Sequence, residues 1–289
     1  MNDLKVVLVV SPDPSDLYFA NQLSRRLAPA AVVVEGHGGP DSLPKRLGRW
    51  AARAWEIPRL LRERRVVSNH VRRTDAIDRA GFGDDGYRLA VPNGCRIIEV
   101  GGKNAVNTPE TVRQVRDFDP DLLVLCGCSI LKKELLSVPR LGTLNLHGGL
   151  AQRYRGVWTT LWAVVNREPE YIGATVHFVS PRIDDGDIVF QGRPEVEPGD
   201  NPESLYVKVV KLGVEMMAAA VQSVADGTVC RYRLEERGRL YLSRMVTPQV
   251  LEEAWRATEE GVIAAYLAEK KVRDAGVLSQ MRGQFPYRR

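Results

Sequence analysis

Two runs of this chain leave few folds open. Residues 4–10 read LKVVLVV and residues 122–125 read LLVL, apolar throughout and without the polar alternation of a half-exposed strand. Such runs belong to strands buried on both faces, as in a parallel sheet covered by helices on either side. The first run gives way to Ser11-Pro12-Asp13-Pro14-Ser15, a turn. Ser15 is the expected cap of a helix through about Leu27, with Leu17, Ala20, Leu23 and Leu27 on one face. Residues 31–34 supply a second strand. The strand–helix–strand order predicts an α/β fold, a Rossmann-like, mostly parallel sheet with helices on both faces.

The same reading continues along the chain. Residues 96–100 are a strand, Thr108-Pro109-Glu110 opens a helix with Val112, Val115 and Phe118 inward, and Asp119-Pro120 ends it. Residues 142–146 and 174–179 are further strands, with His147 just past the first and Asp184 in the loop after the second. Pro202-Glu203-Ser204 starts a long helix that Asp226-Gly227 closes. Residues 247–268 form a helical hairpin around Gly261, and the tail from Arg282 is loose. These boundaries predict a catalytic domain over 1–228, with a helical insertion at 43–80, and a small, mainly helical extension over 229–289.

Composition narrows the class. A chain of 289 residues, 44% hydrophobic, can build one large core. No stretch approaches the roughly 18 apolar residues of a membrane helix, and Met1-Asn2-Asp3-Leu4-Lys5 carries no cleavage-site pattern, so a cytoplasmic protein without a membrane partner is expected. Cys95, Cys126, Cys128 and Cys230 are too few and scattered for a disulfide framework, and Cys126 and Cys128, two apart in an apolar run with no His/Cys partner motif for a metal pair, are expected to be buried structural thiols. The net charge of +5 is concentrated in residues 45–79, which hold eleven Lys/Arg against four Asp/Glu. Leu47, Trp50, Ala51, Ala54, Trp55, Leu60 and Leu61 form an apolar stripe there, broken by Pro58. A solvated basic face and attraction of a phosphorylated partner both fit this segment. No G-x-G-x-x-G or G-x-x-x-x-G-K-[ST] follows a strand, which disfavours dinucleotide redox chemistry.

The chemistry-bearing residues gather between 145 and 187: LNLHGG (144–149), RYRG (153–156), GATVHFV (173–179) and IDDGD (183–187). An amide, an imidazole and a carboxylate can hold an anionic oxygen, move a proton and fix a tautomer. In order and spacing these segments, with IDDGDIVFQ, resemble the folate-dependent formyltransferases over roughly residues 85 to 225. The resemblance implies a 10-formyltetrahydrofolate-dependent N-formyltransferase with Asn145, His147 and Asp184, rather than Asp185 or Asp187, as the reacting trio. It implies that main-chain groups around Cys126, Gly127, Ser129, Ile130 and Leu131, and around Val179 and Ile183, hold the folate. Tyr154, Arg155 and Gly156 match an element bordering the amine, and Trp158 and Trp162 are candidates for the pocket floor. His177 is read as structural.

Departures from the family pattern bear on the acceptor. His147-Gly148-Gly149-Leu150-Ala151-Gln152 replaces the proline-bearing H-P-S-L-L-P of many relatives, and Ser11-Pro12-Asp13-Pro14 stands where glycinamide ribonucleotide enzymes carry a glycine-rich phosphate loop. About 60 residues after Cys230 read as helical rather than as the β-barrel of methionyl-tRNA enzymes. The expected acceptor is therefore a small-molecule amine, phosphorylated or nucleotide-linked, such as an amino sugar or natural-product amine. Glycinamide ribonucleotide or methionyl-tRNA formylation and formyl-folate hydrolysis stand as alternatives. A nucleic-acid partner is disfavoured, no metal is called for, and a homodimer is compatible with the chain.

Overall fold

The computed structural model describes residues 4–37, 57–180 and 182–286. The first run forms strand β1 (Val6–Val10), with every residue at most 2% exposed. Alternate side chains leave it in opposite directions. Val6, Leu8 and Val10 enter one core with helix α1 (Pro14–Leu27) and helix α6 (Pro202–Ala225), while Val7 and Val9 enter a second core with helix α3 (Pro109–Arg116). A strand covered on both faces is what residues 4–10 require.

Five further strands with β1 set the sheet: β2 (Ala31–Glu35), β3 (Arg96–Val100), β4 (Leu122–Cys126), β5 (Gly142–His147) and β7 (Ala174–Phe178), with β8 (Ile188–Gly192) at the edge. Their order is β3-β2-β1-β4-β5-β7-β8. The pairings from β3 to β5 are parallel, and β7 and β8 are antiparallel to the strands before them. The strand order reverses at β1 and β4, which opens a crevice at their carboxyl ends. Between β5 and β7 lie the short β6 (Tyr154–Gly156) and helix α5 (Thr159–Val165).

Several local expectations change. Helix α1 begins at Pro14 with Asp13 at the capping position and no side-chain cap, because proline's fixed φ already suits a first helical residue. Ser15 lies buried inside the helix and accepts a hydrogen bond from the Tyr206 hydroxyl at 3.2 Å. The insertion is helical where it is described, as α2 (Ile57–Phe82). Its expected residues before 57 lie outside the described residues. Leu60 and Leu61 are 49% and 61% exposed, so the apolar stripe does not run through them. The inward face carries Val66, His70, Ile77 and Phe82 instead.

Part of the insertion's charge is matched within the protein. Helix α7 (Pro248–Glu259) packs against α2, and Arg62–Glu252 and Arg73–Glu259 pairs at 3.0 and 3.4 Å bridge the two. A third pair, Arg79–Asp75, lies within α2. The hairpin around Gly261 is present as α7 and α8 (Val262–Ala268), followed by α9 (Lys270–Gln280). The tail is not loose through Phe285. Gln191 exchanges main-chain hydrogen bonds with Gly283 and Phe285 at 2.9 and 2.8 Å, which covers the β8 edge. Strand β9 (Arg239–Tyr241) pairs with β6, and Tyr241, Ala257, Ile263 and Tyr266 enter the main core. Among the described residues no helix is long and apolar enough to cross a membrane.

Helix α6 starts at a capping box: Asn201 accepts from Glu203 and Ser204 N–H, and Ser204 accepts from Asn201 N–H. In the same turn, burial and the neighbouring Asp78 carboxyl raise the Glu203 pKa to about 8 from an ordinary 4.5. A carboxyl whose folded pKa is raised loses stability as pH climbs from its unfolded value through its folded one. Glu203→Gln is therefore expected to melt above wild type at pH 8 and to match it near pH 4. Equal melting temperatures at pH 8 would remove Glu203 as a source of alkaline instability.

Candidate functional site

The N-x-H spacing puts Asn145 and His147 on the same face of β5. The antiparallel register of β7 sets His177 directly opposite Asn145 and Thr175 opposite His147. Asp184, in the loop after β7, adopts a left-handed conformation with φ 46° and turns its carboxylate back toward both strands. Asp184 Oδ2 lies 3.5 Å from His147 Nδ1, and Oδ1 lies 3.6 Å from His177 Nε2. Asn145 Nδ2 is 3.1 Å from His177 Nε2. Four side chains therefore form one connected cluster, in which His147 and His177 are 5% and 3% exposed.

Backbone groups orient the cluster. His147 Nε2 is 2.8 Å from the Tyr154 carbonyl oxygen, which can only accept, so Nε2 carries the proton and Nδ1 faces the carboxylate. Gly156 N–H donates to Asp184 Oδ2 at 2.7 Å. Burial alone would raise the Asp184 pKa, but His147, His177 and the Gly156 N–H together more than offset it and hold the group well below the usual carboxylate range. Asp185 points elsewhere, to Arg237 at 2.6 Å. The second glycine after His147 has a steric reason: a Cβ on Gly149 would sit 2.8 Å from His147 Nε2 and 3.0 Å from Thr159.

The other expected site residues divide. Tyr154 is 1% exposed, and its hydroxyl donates to Glu168 at 2.6 Å, so its side chain is core and only its carbonyl reaches the cluster. Trp162 is stacked on Tyr241 at 4.6 Å inside the core and does not floor a pocket. Arg155 Nε donates to the Ile183 carbonyl at 3.1 Å. Trp158 is 46% exposed, with its ring 5.7 Å from that of His70. His177, read as structural, stands inside the cluster. The signal for it was present in GATVHFV, but the β5–β7 register that sets it opposite Asn145 cannot be read from that segment.

The 126–131 loop follows β4 at the sheet's carboxyl edge. Several main-chain groups expected to meet folate already have protein partners. Ser129 N–H donates to Glu35 at 2.6 Å, the Ile130 carbonyl accepts from Asn107 at 3.0 Å, and Val179 N–H donates to Thr143 at 2.8 Å. The Cys126 thiol is buried and donates to Asp16 at 3.3 Å. Three features remain open to a ligand. The Ile130 side chain is 66% exposed, Gly127 is exposed, and Leu131, only 6% exposed, has no partner for its N–H or C=O among the described residues. Buried main-chain groups seldom stay unpaired, so this edge fits a planar heterocycle that offers both donors and acceptors. Among the described residues no group of His, Cys, Asp or Glu is arranged to hold a metal.

An α/β sheet that gathers Asn145, His147 and Asp184 at its strand ends, beside a partly unpaired loop, has the form of an enzyme site. The formyl transferase family profile matches residues 66–221, more than half of the chain, and the protein belongs to that family. Among curated relatives, the methionyl-tRNA formyltransferase of Methylacidiphilum infernorum is 31% identical over 147 residues, 50% of this chain and 46% of that protein. That of Caldanaerobacter subterraneus is 24% identical over 170 residues, 58% and 54% of the two chains. The chain thus spans about half the length of the curated relatives it matches. Solved structures share the fold. A likely sugar N-formyltransferase from Mycobacterium tuberculosis aligns with TM-score 0.51 at 15% identity, covering 84% of this chain and 76% of that one. A 4-N formyltransferase from Francisella tularensis aligns with TM-score 0.51 at 18% identity, covering 88% and 87%.

Proposed function

We propose that this protein transfers a formyl group from 10-formyltetrahydrofolate to a primary amine of a small molecule. The convergence of Asn145, His147 and Asp184 carries this reading. When bound, the folate supplies the formyl carbon. Leu131 and the exposed Ile130 are the residues best placed to hold its ring, with Gly127 and the 183–184 turn alongside. Asn145 keeps a second N–H for the oxygen that gains charge as the amine adds to that carbon. His147 Nδ1 would take the proton the amine sheds and hand it to the leaving group, and Asp184 Oδ2 would hold the imidazolium between the two transfers. The new C–N bond and the broken C–N10 bond then balance with no net proton change.

We infer further that the acceptor is an amino sugar, nucleotide-linked or otherwise activated. Support comes from the fold neighbours, one of which, from Helicobacter canadensis, is an N-formyltransferase in complex with folinic acid and dTDP-3-aminofucose. The crevice at the β1 and β4 ends presents Asp13 and the buried Asp16, whose pKa burial raises to about 6. A phosphate placed there would meet like charge, which weighs against seating the phosphate of any acceptor at this end of the sheet. Methionyl-tRNA is the second reading, because it is the substrate named for the curated relatives.

Purified protein with 10-formyltetrahydrofolate and either dTDP-3-aminofucose or charged tRNA should release tetrahydrofolate with one acceptor only. Asn145→Ala should lower that rate by about 10²–10³, the usual cost of one oxyanion donor. Folate turnover that ignores every amine would point to hydrolysis instead.

A further inference from the structure

We propose that His177 is a positioning residue that keeps the NH₂ end of the Asn145 amide, rather than its carbonyl end, beside Asp184; the role rests on the formyl-transfer reading above. His177 Nδ1 lies 2.9 Å from the Phe178 carbonyl oxygen. A carbonyl can only accept, so Nδ1 carries the ring proton and Nε2 of the neutral ring is an acceptor. Asn145 Nδ2, 3.1 Å away, donates to it. The two ends of an amide have nearly the same shape and opposite polarity, so a neighbouring group of known polarity decides the flip. With Nε2 as acceptor, the donor end lies on the side where Nε2 approaches Asp184 Oδ1 at 3.6 Å. The second N–H on Nδ2 then remains for the substrate oxygen.

The arrangement has a definite failure mode. A protonated His177 has no acceptor and gains a donor at Nε2, aimed at Asp184 Oδ1. Asn145 then turns its carbonyl toward the ring, and an acceptor replaces the donor where negative charge must grow. The charged groups around this ring are few. Asp184 comes from the loop after β7, His147 from β5 lies on the far side of that carboxylate, and Arg231 lies 3.5 Å over the Phe178 ring. Asp184 is ionised, so it does not compete for the role of acid.

The test combines kinetics with a probe of the ring itself. His177→Leu removes the acceptor, and kcat should fall about 10²–10³-fold, the cost of a lost oxyanion donor, with KM for 10-formyltetrahydrofolate little changed. His177→Gln offers an amide oxygen that accepts but does not titrate. It should restore kcat at neutral pH, with KM again little changed. A residue serving only the fold would not be rescued in kcat alone by the one substitute that supplies an acceptor. In ¹⁵N-histidine spectra the four histidines are few enough to assign. His177 should show a protonated Nδ1 and a bare Nε2, and His147 the reverse. A protonated Nε2 on His177 at neutral pH, or a Gln variant as slow as Leu, overturns the proposal. A wild type that releases no tetrahydrofolate with dTDP-3-aminofucose or methionyl-tRNA overturns the formyl-transfer reading, and the assigned role with it, whatever the tautomer.

Discussion

Asp184→Asn is expected to cut turnover by roughly 10²–10⁴-fold, the range for a lost acid–base partner, while leaving the fold in place. Asp184 Oδ2 accepts the Gly156 N–H at 2.7 Å and faces His147 Nδ1 at 3.5 Å, and Oδ1 faces His177. An asparagine can still accept from Gly156 through its oxygen, so the turn keeps its anchor. Its NH₂ end cannot serve as an acceptor, and an imidazolium at His147 loses the anion that steadies it. The loss should appear in kcat, because the imidazolium forms only as the amine adds. The same change has a signature in stability. Asp184 titrates below its unfolded value of 3.8. Its contribution is therefore present above that pH and disappears as pH falls through the folded value. Wild type should out-melt the variant at neutral pH, with the gap closing below about pH 4. A variant that keeps wild-type kcat would remove Asp184 from the chemistry.

Much of this fold can be read from unbroken apolar runs. Residues 4–10 and 122–125 demand two covered faces, and the structure gives each of them two cores. Turn chemistry was equally legible at Thr108-Pro109, Asp226-Gly227 and Gly261, where the residue types leave the backbone few choices. Strand direction was not legible. Nothing local in GATVHFV fixes the direction or the register of the strand, and the register decides whether His177 meets Asn145. Exposure was also misjudged where a residue has two ends. Tyr154 contributes a carbonyl to the cluster and sends its ring into the core, a division made by packing against Tyr241 and Glu168. The insertion's charge raised a similar problem. Two of its arginines, Arg62 and Arg73, answer carboxylates on α7, nearly two hundred residues later in the chain, pairings that no local pattern of charge signals.

Those distant contacts make Gly156→Ala the second large effect, acting on stability and activity together. Gly156 has φ 87°, a region in which a side chain costs about 1–3 kcal/mol by itself. A Cβ there would also sit 2.0 Å from the Tyr241 carbonyl oxygen, a backbone atom held by the β6–β9 pairing and by Val157 N–H at 3.0 Å. A flexible side chain could move aside, but this carbonyl can yield only if β9 separates from β6. The combined cost should be about 3 kcal/mol or more, a fall in Tm of roughly 6–12 °C for a protein of this size. Activity should fall further than stability requires, because the displaced residue is the one whose N–H anchors Asp184. Thermal melting beside turnover, measured well below the variant's Tm, separates the two effects. Wild-type values for both would mean that the strand from the last sixty residues does not constrain the cluster. The expected joint loss would instead make residues 239–241 part of what holds Asp184 against His147.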